Sequence, residues 1–306
     1  MFFNRRAGGS DRTTAVEALS AELRNRGVEC DVESESAGLA ARLADEAADP
    51  RGRAREDGLA VIAAGGDGTV GWAASHLPPH VPLGVFPLGT ENLLARYLGA
   101  TADPGLAADR FCEYRWRTWD AMEVNGRLGL LMVSCGMDAE VVQQVHGSRR
   151  GNISHWTYAT PLCRALSSYR FPVLRVSQWT GQGDRVDSTA EPWREASKGR
   201  WCFVFNAPVY ALGLALGRGA IPFDGQLDIL TLKRGGVWSM IGYLTATLRG
   251  RLDRAAGVGR LQAQRIRIES DQRVPYQLDG DPGGELPVEI VVLPERLRML
   301  TCRVEE

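Results

Sequence analysis

Residues Gly65-Gly66-Asp67-Gly68-Thr69 follow directly on the apolar run Leu59–Ala64, and a helical pattern follows them. A second signal of the same build, Pro87-Leu88-Gly89-Thr90-Glu91-Asn92, comes after the short apolar run Leu83–Phe86. The pair reads as two strand–glycine turn–helix units side by side. Glycine lets a backbone approach a bulky anion closely and adopt positive φ. The helix N-terminus that follows offers free N–H groups and a partial positive charge. Asp67 is the odd member. A carboxylate among anion-binding glycines makes sense where Mg²⁺ or a substrate hydroxyl is also present, so the pattern points to phosphoryl transfer from a nucleotide.

Outward from these units, the pattern toward the N-terminus is of the same kind. Phe2-Phe3 reads as a very short first strand, as though the start of the chain lay late in its gene. Thr14-Ala15-Val16-Glu17 fits a capping box, Val16, Leu19 and Leu23 recur at helical spacing, and Gly27 supplies a stop. Val28–Val32 is expected as a strand, Gly38–Ala48 as an Ala-rich helix and Asp49–Asp57 as a charged loop. Alternation of strands and helices implies a parallel sheet covered on both faces.

Near residue 115 the pattern changes. Arg115–Glu123 and Leu128–Ser134 are expected as strands joined at Asn125-Gly126, a hairpin turn pair. Asp138–His146 and Trp156–Ser168 are expected as helices. Val173–Trp179 and Trp201–Asn206 read as strands flanking a polar loop, Gly181–Gly199. Further strands are expected at Leu227–Leu232, Arg265–Glu269 and Val288–Leu293, interrupted by one helix at Val237–Leu248. The expectation is an α/β nucleotide-binding domain over residues 1–114 and about 295–306, with a mostly antiparallel β-sandwich over 115–294 between them.

Bulk composition narrows the function. With 36 Lys and Arg against 37 Asp and Glu, the net charge is −1, which gives no sign of a nucleic-acid binder. Six cysteines are scattered without a Cys-x-x-Cys pair and read as buried free thiols. The N-terminus shows no secretory h-region, and no apolar run approaches the ~20 residues of a membrane span. A cytoplasmic protein is expected. The basic stretch Arg249, Arg251 and Arg254 is either a solvated face or a weak attraction to anionic lipid.

Six motifs in order carry a resemblance over nearly the whole chain. Asn4-Arg5-Arg6-Ala7-Gly8, Gly65–Thr69, Pro87–Asn92 with Ala95-Arg96, Gly136-Met137-Asp138-Ala139, Asp224-Gly225-Gln226-Leu227-Asp228 and Asp279-Gly280-Asp281 are similar to those of the diacylglycerol kinase and sphingosine kinase catalytic family. The resemblance implies two domains with a cleft between them, the last strand, about Arg298–Thr301, returning to the first. It implies an ATP- and Mg²⁺-dependent transfer to a lipid hydroxyl reached at the membrane surface, with a homodimer left open.

Residue by residue, the resemblance implies that Asn4, Gly8, Ser34, Gly65, Gly66, Gly68, Thr69, Gly89, Thr90, Asn92 and Arg96 border the nucleotide. Asp67 is the acid nearest the phosphates, as metal ligand or base; the plain alternative is an N-cap aspartate. Asp281 stands where the family has a glutamate that takes the acceptor's proton. Its side chain reaches roughly 1.5 Å less far, and Asp279-Gly280 is also a good turn pair. Asp224, with the carbonyls of Ile221 and Gln226, is implied to hold a structural Mg²⁺, against a simple turn.

Two acids of the family are absent. Gly71-Trp72 stand where Asn-Glu is usual, and Leu93-Leu94 follow Asn92 where an Asp is usual. A catalytically degenerate nucleotide-binding protein and an NAD kinase, which shares Gly-Gly-Asp-Gly, therefore stay as alternatives. Gly66-x-Gly68-x-x-Gly71 also matches a dinucleotide fingerprint, but in a later unit than that fingerprint occupies.

Overall fold

The computed structural model describes residues 1–3, 11–48, 59–113, 115–147, 169–181 and 192–301. They divide into two compact units: Met1–Trp119 with the chain from Glu295 onward, and Asp120–Pro294.

The first unit is a parallel sheet with helices. Strands β1 (Phe2–Phe3), β2 (Val61–Gly65) and β3 (Pro82–Pro87) run parallel, Phe2 opposite Ala63 and Ala63 opposite Val85. The end of the last strand joins them, with Arg298 opposite Pro82 and Met299 opposite Leu83, again parallel. Helices α1 (Asp11–Asn25), α2 (Ser36–Ala48), α3 (Asp67–His76), α4 (Leu93–Leu98) and α5 (Pro104–Cys112) connect the strands. Val16, Leu19 and Leu23 of α1 bury with Phe3, Ile62, Ala64 and Phe86 of the sheet and Ala107 and Ala108 of α5. Gly27, at φ 82°, ends α1 in a Schellman motif: its N–H reaches the Arg24 carbonyl, and Val28 N–H reaches that of Leu23.

Helix α1 begins at Asp11, so Thr14–Glu17 lies within the helix rather than capping it. Val28–Val32 forms no strand; a single parallel bridge joins Glu33 to Phe2. The reason is the partner: β1 has only two residues, too few for a ladder. The loop expected at Asp49–Asp57 and the helix expected at Trp156–Ser168 lie outside the described residues, as do Asn4 and Gly8.

The second unit is a sandwich. In chain order come β4 (Arg115–Val124), β5 (Arg127–Gly129), β6 (Met132–Cys135), α6 (Met137–Gly147), β7 (Leu174–Trp179), β8 (Trp193–Gly199), β9 (Trp201–Phe205), β10 (Leu227–Leu232), α7 (Val237–Leu248), β11 (Val258–Ala263), β12 (Arg265–Glu269), β13 (Pro275–Leu278), β14 (Asp281–Glu285) and β15 (Val288–Thr301). One antiparallel sheet has the order β11-β10-β9-β6-β13-β14; β15, β12, β7 and β8 pair antiparallel in the other. Strict alternation decides which side chains enter. Ile266 and Ile268 of β12 point inward while Arg265 and Arg267 stay out, and Val288, Ile290 and Val292 repeat the pattern in β15. They meet Val133, Cys135, Cys202, Val204, Leu227 and Ile229 of the facing sheet. Of the described cysteines, Cys30, Cys135 and Cys202 are buried free thiols as expected, while Cys112 is free but exposed.

The expected strand Leu128–Ser134 is two strands. Arg127–Gly129 completes the Asn125-Gly126 hairpin, both turn residues at positive φ, and Met132–Cys135 enters the opposite sheet. The break is held by the Asp279 carboxylate, which accepts from the N–H groups of Leu130 (2.7 Å), Leu131 (2.9 Å) and Met132 (2.9 Å). The expected polar loop Gly181–Gly199 is strand from Trp193 onward. Its cross-strand pair Trp179–Trp193, with Arg265 stacked over the first ring and Arg267 over the second, holds this edge. Strands β11, β13 and β14 were not expected. Two of them are sheet edges rich in Gly, Pro or charge, whose pairing with a neighbour rather than their own propensity makes them strands. Val288–Leu293 and Arg298–Thr301 are one strand, with Glu295 at φ 50° inside it.

Candidate active site

In the first unit the carboxyl edge of the parallel strands gathers the glycine motifs, the position where open α/β sheets bind ligands. The two turns touch through their glycines. A Cβ on Gly89 would stand 2.4 Å from the Gly66 Cα, so no side chain fits there. A Cβ on Gly65 would lie 2.4 Å from the Thr69 hydroxyl oxygen. Leu88 N–H closes the pair on the Gly65 carbonyl at 2.9 Å.

Helix α3 starts from Gly66 with no side-chain cap. Its first-turn N–H groups therefore lack the partner that Ser, Thr, Asp or Asn would supply. Gly68 is exposed there, while Thr69 is buried against Gly65. The edge is thus suited to an anion. Ser34, half-buried, follows the Glu33 bridge and so sits at the same end of the sheet.

Asp67 does something the sequence did not suggest. Its carboxylate caps the neighbouring helix, accepting from Leu93 N–H through Oδ2 (3.1 Å) and from Leu94 N–H through Oδ1 (3.2 Å). Burial raises its pKa above the usual carboxylate value, those two bonds oppose the rise, and the charge of Glu91 adds to it. Asn92, at φ 48°, locks the second turn: Oδ1 accepts from Gly89 N–H and Nδ2 donates to the Gly89 carbonyl, both at 2.8 Å. Thr90 is exposed beside it. Arg96 is exposed on α4, its guanidinium 4.0 Å from Glu91.

The two missing acids have become packing residues. Trp72 lies against the Phe2 ring at 4.6 Å and stacks on His76 at 4.2 Å. Of the leucines after Asn92, Leu93 is half-buried and Leu94 is fully buried.

In the second unit, Asp281 opens β14 directly after Asp279-Gly280, a two-residue turn with both residues at positive φ. Its Oδ1 lies 3.8 Å from His146 Nδ1 at the end of α6, both side chains partly exposed. The turn is fixed from below. Gly280 N–H donates to Gln277 Oε1 (2.7 Å), and Gln277 Nε2 donates to the Ser134 hydroxyl (2.8 Å). Ser134 in turn donates to Asp138 Oδ2, which Tyr210 reaches at 3.4 Å. The Asp138 Oδ1 is buried and has no hydrogen-bond partner among the described residues, and burial pushes this carboxyl up to about 6. Gln277, Ser134 and Tyr210 were not singled out from sequence. For Gln277 and Ser134 the signal available was a polar residue inside an apolar strand.

Asp224, Ile221 and Gln226 do lie in one turn. Gln226 N–H already donates to Asp224 Oδ1 (2.9 Å), and Phe223 N–H to the Ile221 carbonyl (2.9 Å). The turn is anchored by Asp120, almost fully buried in β4, whose Oδ2 accepts from Gly225 N–H at 2.7 Å. Among the described residues no group of three His, Cys, Asp or Glu is placed to hold a metal ion. The metal expected here calls for one carboxylate, Asp224, and two backbone oxygens, those of Ile221 and Gln226, and all three residues belong to this turn.

Comparison with known proteins agrees with this arrangement. Residues 1–124 match the family model described as diacylglycerol kinase catalytic domain, and residues 131–301 match that of the YegS C-terminal NAD kinase beta sandwich-like domain. The chain belongs to the diacylglycerol kinase catalytic family of the bacterial lipid-kinase type. It is 28% identical over 247 residues to a diacylglycerol kinase of Bacillus subtilis, covering 78% of this chain and 77% of the relative. A diacylglycerol kinase of Staphylococcus carnosus is 23% identical over 261 residues, 81% and 78% of the two chains. A solved structure titled as a diacylglycerol kinase from Bacillus anthracis shares the fold with a TM-score of 0.63 at 18% identity, over 98% of this chain and 95% of that one.

Proposed function

We propose that this protein is an ATP-dependent kinase that transfers the γ-phosphoryl group to the hydroxyl of a lipid, diacylglycerol-like or sphingoid, at a membrane surface. The observation that carries the reading is the pair of glycine turns in contact through Gly66 and Gly89 beside the uncapped start of α3. The first turn of α3, which has no side-chain cap, suits the nucleotide phosphates. Catalysis of phosphoryl transfer is mainly positioning and charge stabilisation. Mg²⁺ belongs to this reading as the counter-ion of the phosphates, where it would neutralise charge, with Asp67 the nearest acid of the glycine turns. Asp281 is the acceptor's base, presented by a turn that Gln277 and Asp279 hold. Asn4, Gly8, Ser34, Thr69, Thr90 and Arg96 remain proposed neighbours of the nucleotide.

A second reading, a nucleotide-binding protein without turnover, rests on Trp72 and Leu94 in place of acids. Labelled ATP offered with mixed lipids and, separately, with NAD tests both. Phosphorylated lipid supports the kinase. Phosphorylated NAD alone would make it an NAD kinase, and tight ATP binding with transfer to neither would favour the degenerate protein.

A further inference from the structure

Helix α7 is apolar on the wrong side. None of its twelve residues, Val237–Leu248, carries a charge. Tyr243 and Thr247 face inward and are buried. An outer face holds Val237, Ile241, Leu244 and Leu248, at spacings that align them in one ridge, with Trp238 beside Ile241. All five are exposed, Trp238 to 85% and Leu248 to 72%. A helix on the surface of a globular unit normally turns polar residues outward. A contiguous apolar ridge marks an interaction surface, where single exposed apolar residues would mean nothing.

The orientation of the helix is fixed. The Tyr243 hydroxyl lies 3.4 Å from the carbonyls of Ala256 and Gly257 and accepts from Arg234 N–H at 3.3 Å. Its ring meets Trp201 edge to face. A rotation that hid the ridge would break these contacts.

Charge says what the ridge meets. Lys233 and Arg234 precede the helix, and Arg249, Arg251 and Arg254 follow it, all exposed. From Lys233 to Arg260 there are six basic residues and one acid, Asp253, which is paired with Arg260. The rest of the chain balances this excess, since the whole carries −1. An apolar strip with cations at both ends is the make-up of a helix lying in a bilayer interface, its ridge among acyl chains and its flanks on anionic headgroups. A second copy of the chain fits less well. Two such helices packed antiparallel about a two-fold axis would set the basic end of each against the basic start of the other.

We propose that α7, with Lys233, Arg234, Arg249, Arg251 and Arg254, is the surface by which this protein docks on anionic membranes. The inference rests on the lipid-kinase reading only for its purpose; the docking itself needs no acceptor.

Sedimentation with vesicles of pure phosphatidylcholine, and of phosphatidylcholine with phosphatidylglycerol, tests it without ATP or acceptor. The full chain should bind the anionic vesicles at least tenfold more tightly, less so as salt rises. Arg249→Gln/Arg251→Gln/Arg254→Gln should weaken that binding by roughly a hundredfold, and Trp238→Ala/Leu248→Ala by at least roughly tenfold. Both variants change exposed side chains and should keep the wild-type melting temperature. Both should phosphorylate a dispersed short-chain diacylglycerol at the wild-type rate while losing activity on vesicles. Absence of vesicle binding, or equal binding by all three proteins, overturns the proposal. So does a wild-type dimer that Trp238→Ala/Leu248→Ala makes monomeric without change in vesicle binding. Vesicle binding with no transfer to any lipid would leave the docking surface standing and sink the kinase reading instead.

Discussion

The Oδ1 of Asp67 lies 3.2 Å from the amide nitrogen of Leu94, across the gap between the two glycine turns. The acid of the first motif thus holds the start of the helix that follows the second. Asp67→Asn should therefore act twice. It replaces one acceptor oxygen by a donor, so α4 loses one of its two caps, worth about 1 kcal/mol. It also removes the charge nearest the proposed phosphates, worth on the order of 10²–10³ in rate. Turnover at saturating ATP and a thermal melt separate the two effects. A melting shift with full activity would reduce Asp67 to a cap.

Gly89→Ala is expected to disturb the nucleotide edge more than any substitution on the surface of α4. The added carbon has 2.4 Å to the Gly66 backbone, which cannot yield as a side chain end can. The α3 turn must shift. We expect ATP affinity, measured by calorimetry, to fall at least tenfold, with about 1–3 kcal/mol of stability lost to overpacking. ATP affinity equal to wild type would separate these turns from the nucleotide.

Asp279 and Asp281 sit two residues apart and should behave differently. Asp279→Ala leaves three backbone N–H groups without their acceptor, so denaturant titration should show at least about 3 kcal/mol lost. Asp281→Asn should leave stability and ATP affinity nearly unchanged and lower turnover by roughly 10²–10⁴. Asp281→Glu should remain active. If Asp281→Asn turns over normally, Asp281 is only a strand residue.

Asp138 should give the protein a pH-dependent stability. Its folded-state pKa, near 6, lies above the value of about 3.9 in an unfolded chain. Between those values the folded state holds a proton that the unfolded state has released, so stability falls as pH rises. The contribution is fully present below about pH 4 and gone above about pH 6, a span of about 3 kcal/mol. Equilibrium unfolding at several pH values checks this. Asp138→Asn, which cannot ionise, should flatten that part of the profile.

Residue order alone made legible whatever local chemistry dictates. Two glycine motifs after apolar runs placed the α/β unit, Asn125-Gly126 placed a hairpin, and Arg265–Glu269 was legible as a strand. Helix α7 was legible to the residue, because Gly236 and Arg249 bound an uninterrupted helical run. Tertiary structure decided what depends on a partner distant in the chain. The sequence could not show that Asp67 caps α4 rather than its own helix. Nor could it show that Asp279 divides one expected strand between two sheets, or that Asp120 anchors the Asp224–Gln226 turn through Gly225. Edge strands such as Trp193–Gly199 and Asp281–Glu285 were illegible for the same reason. A carboxylate or a short polar strand has several uses of similar free energy, and only the backbone groups that folding brings beside it choose among them.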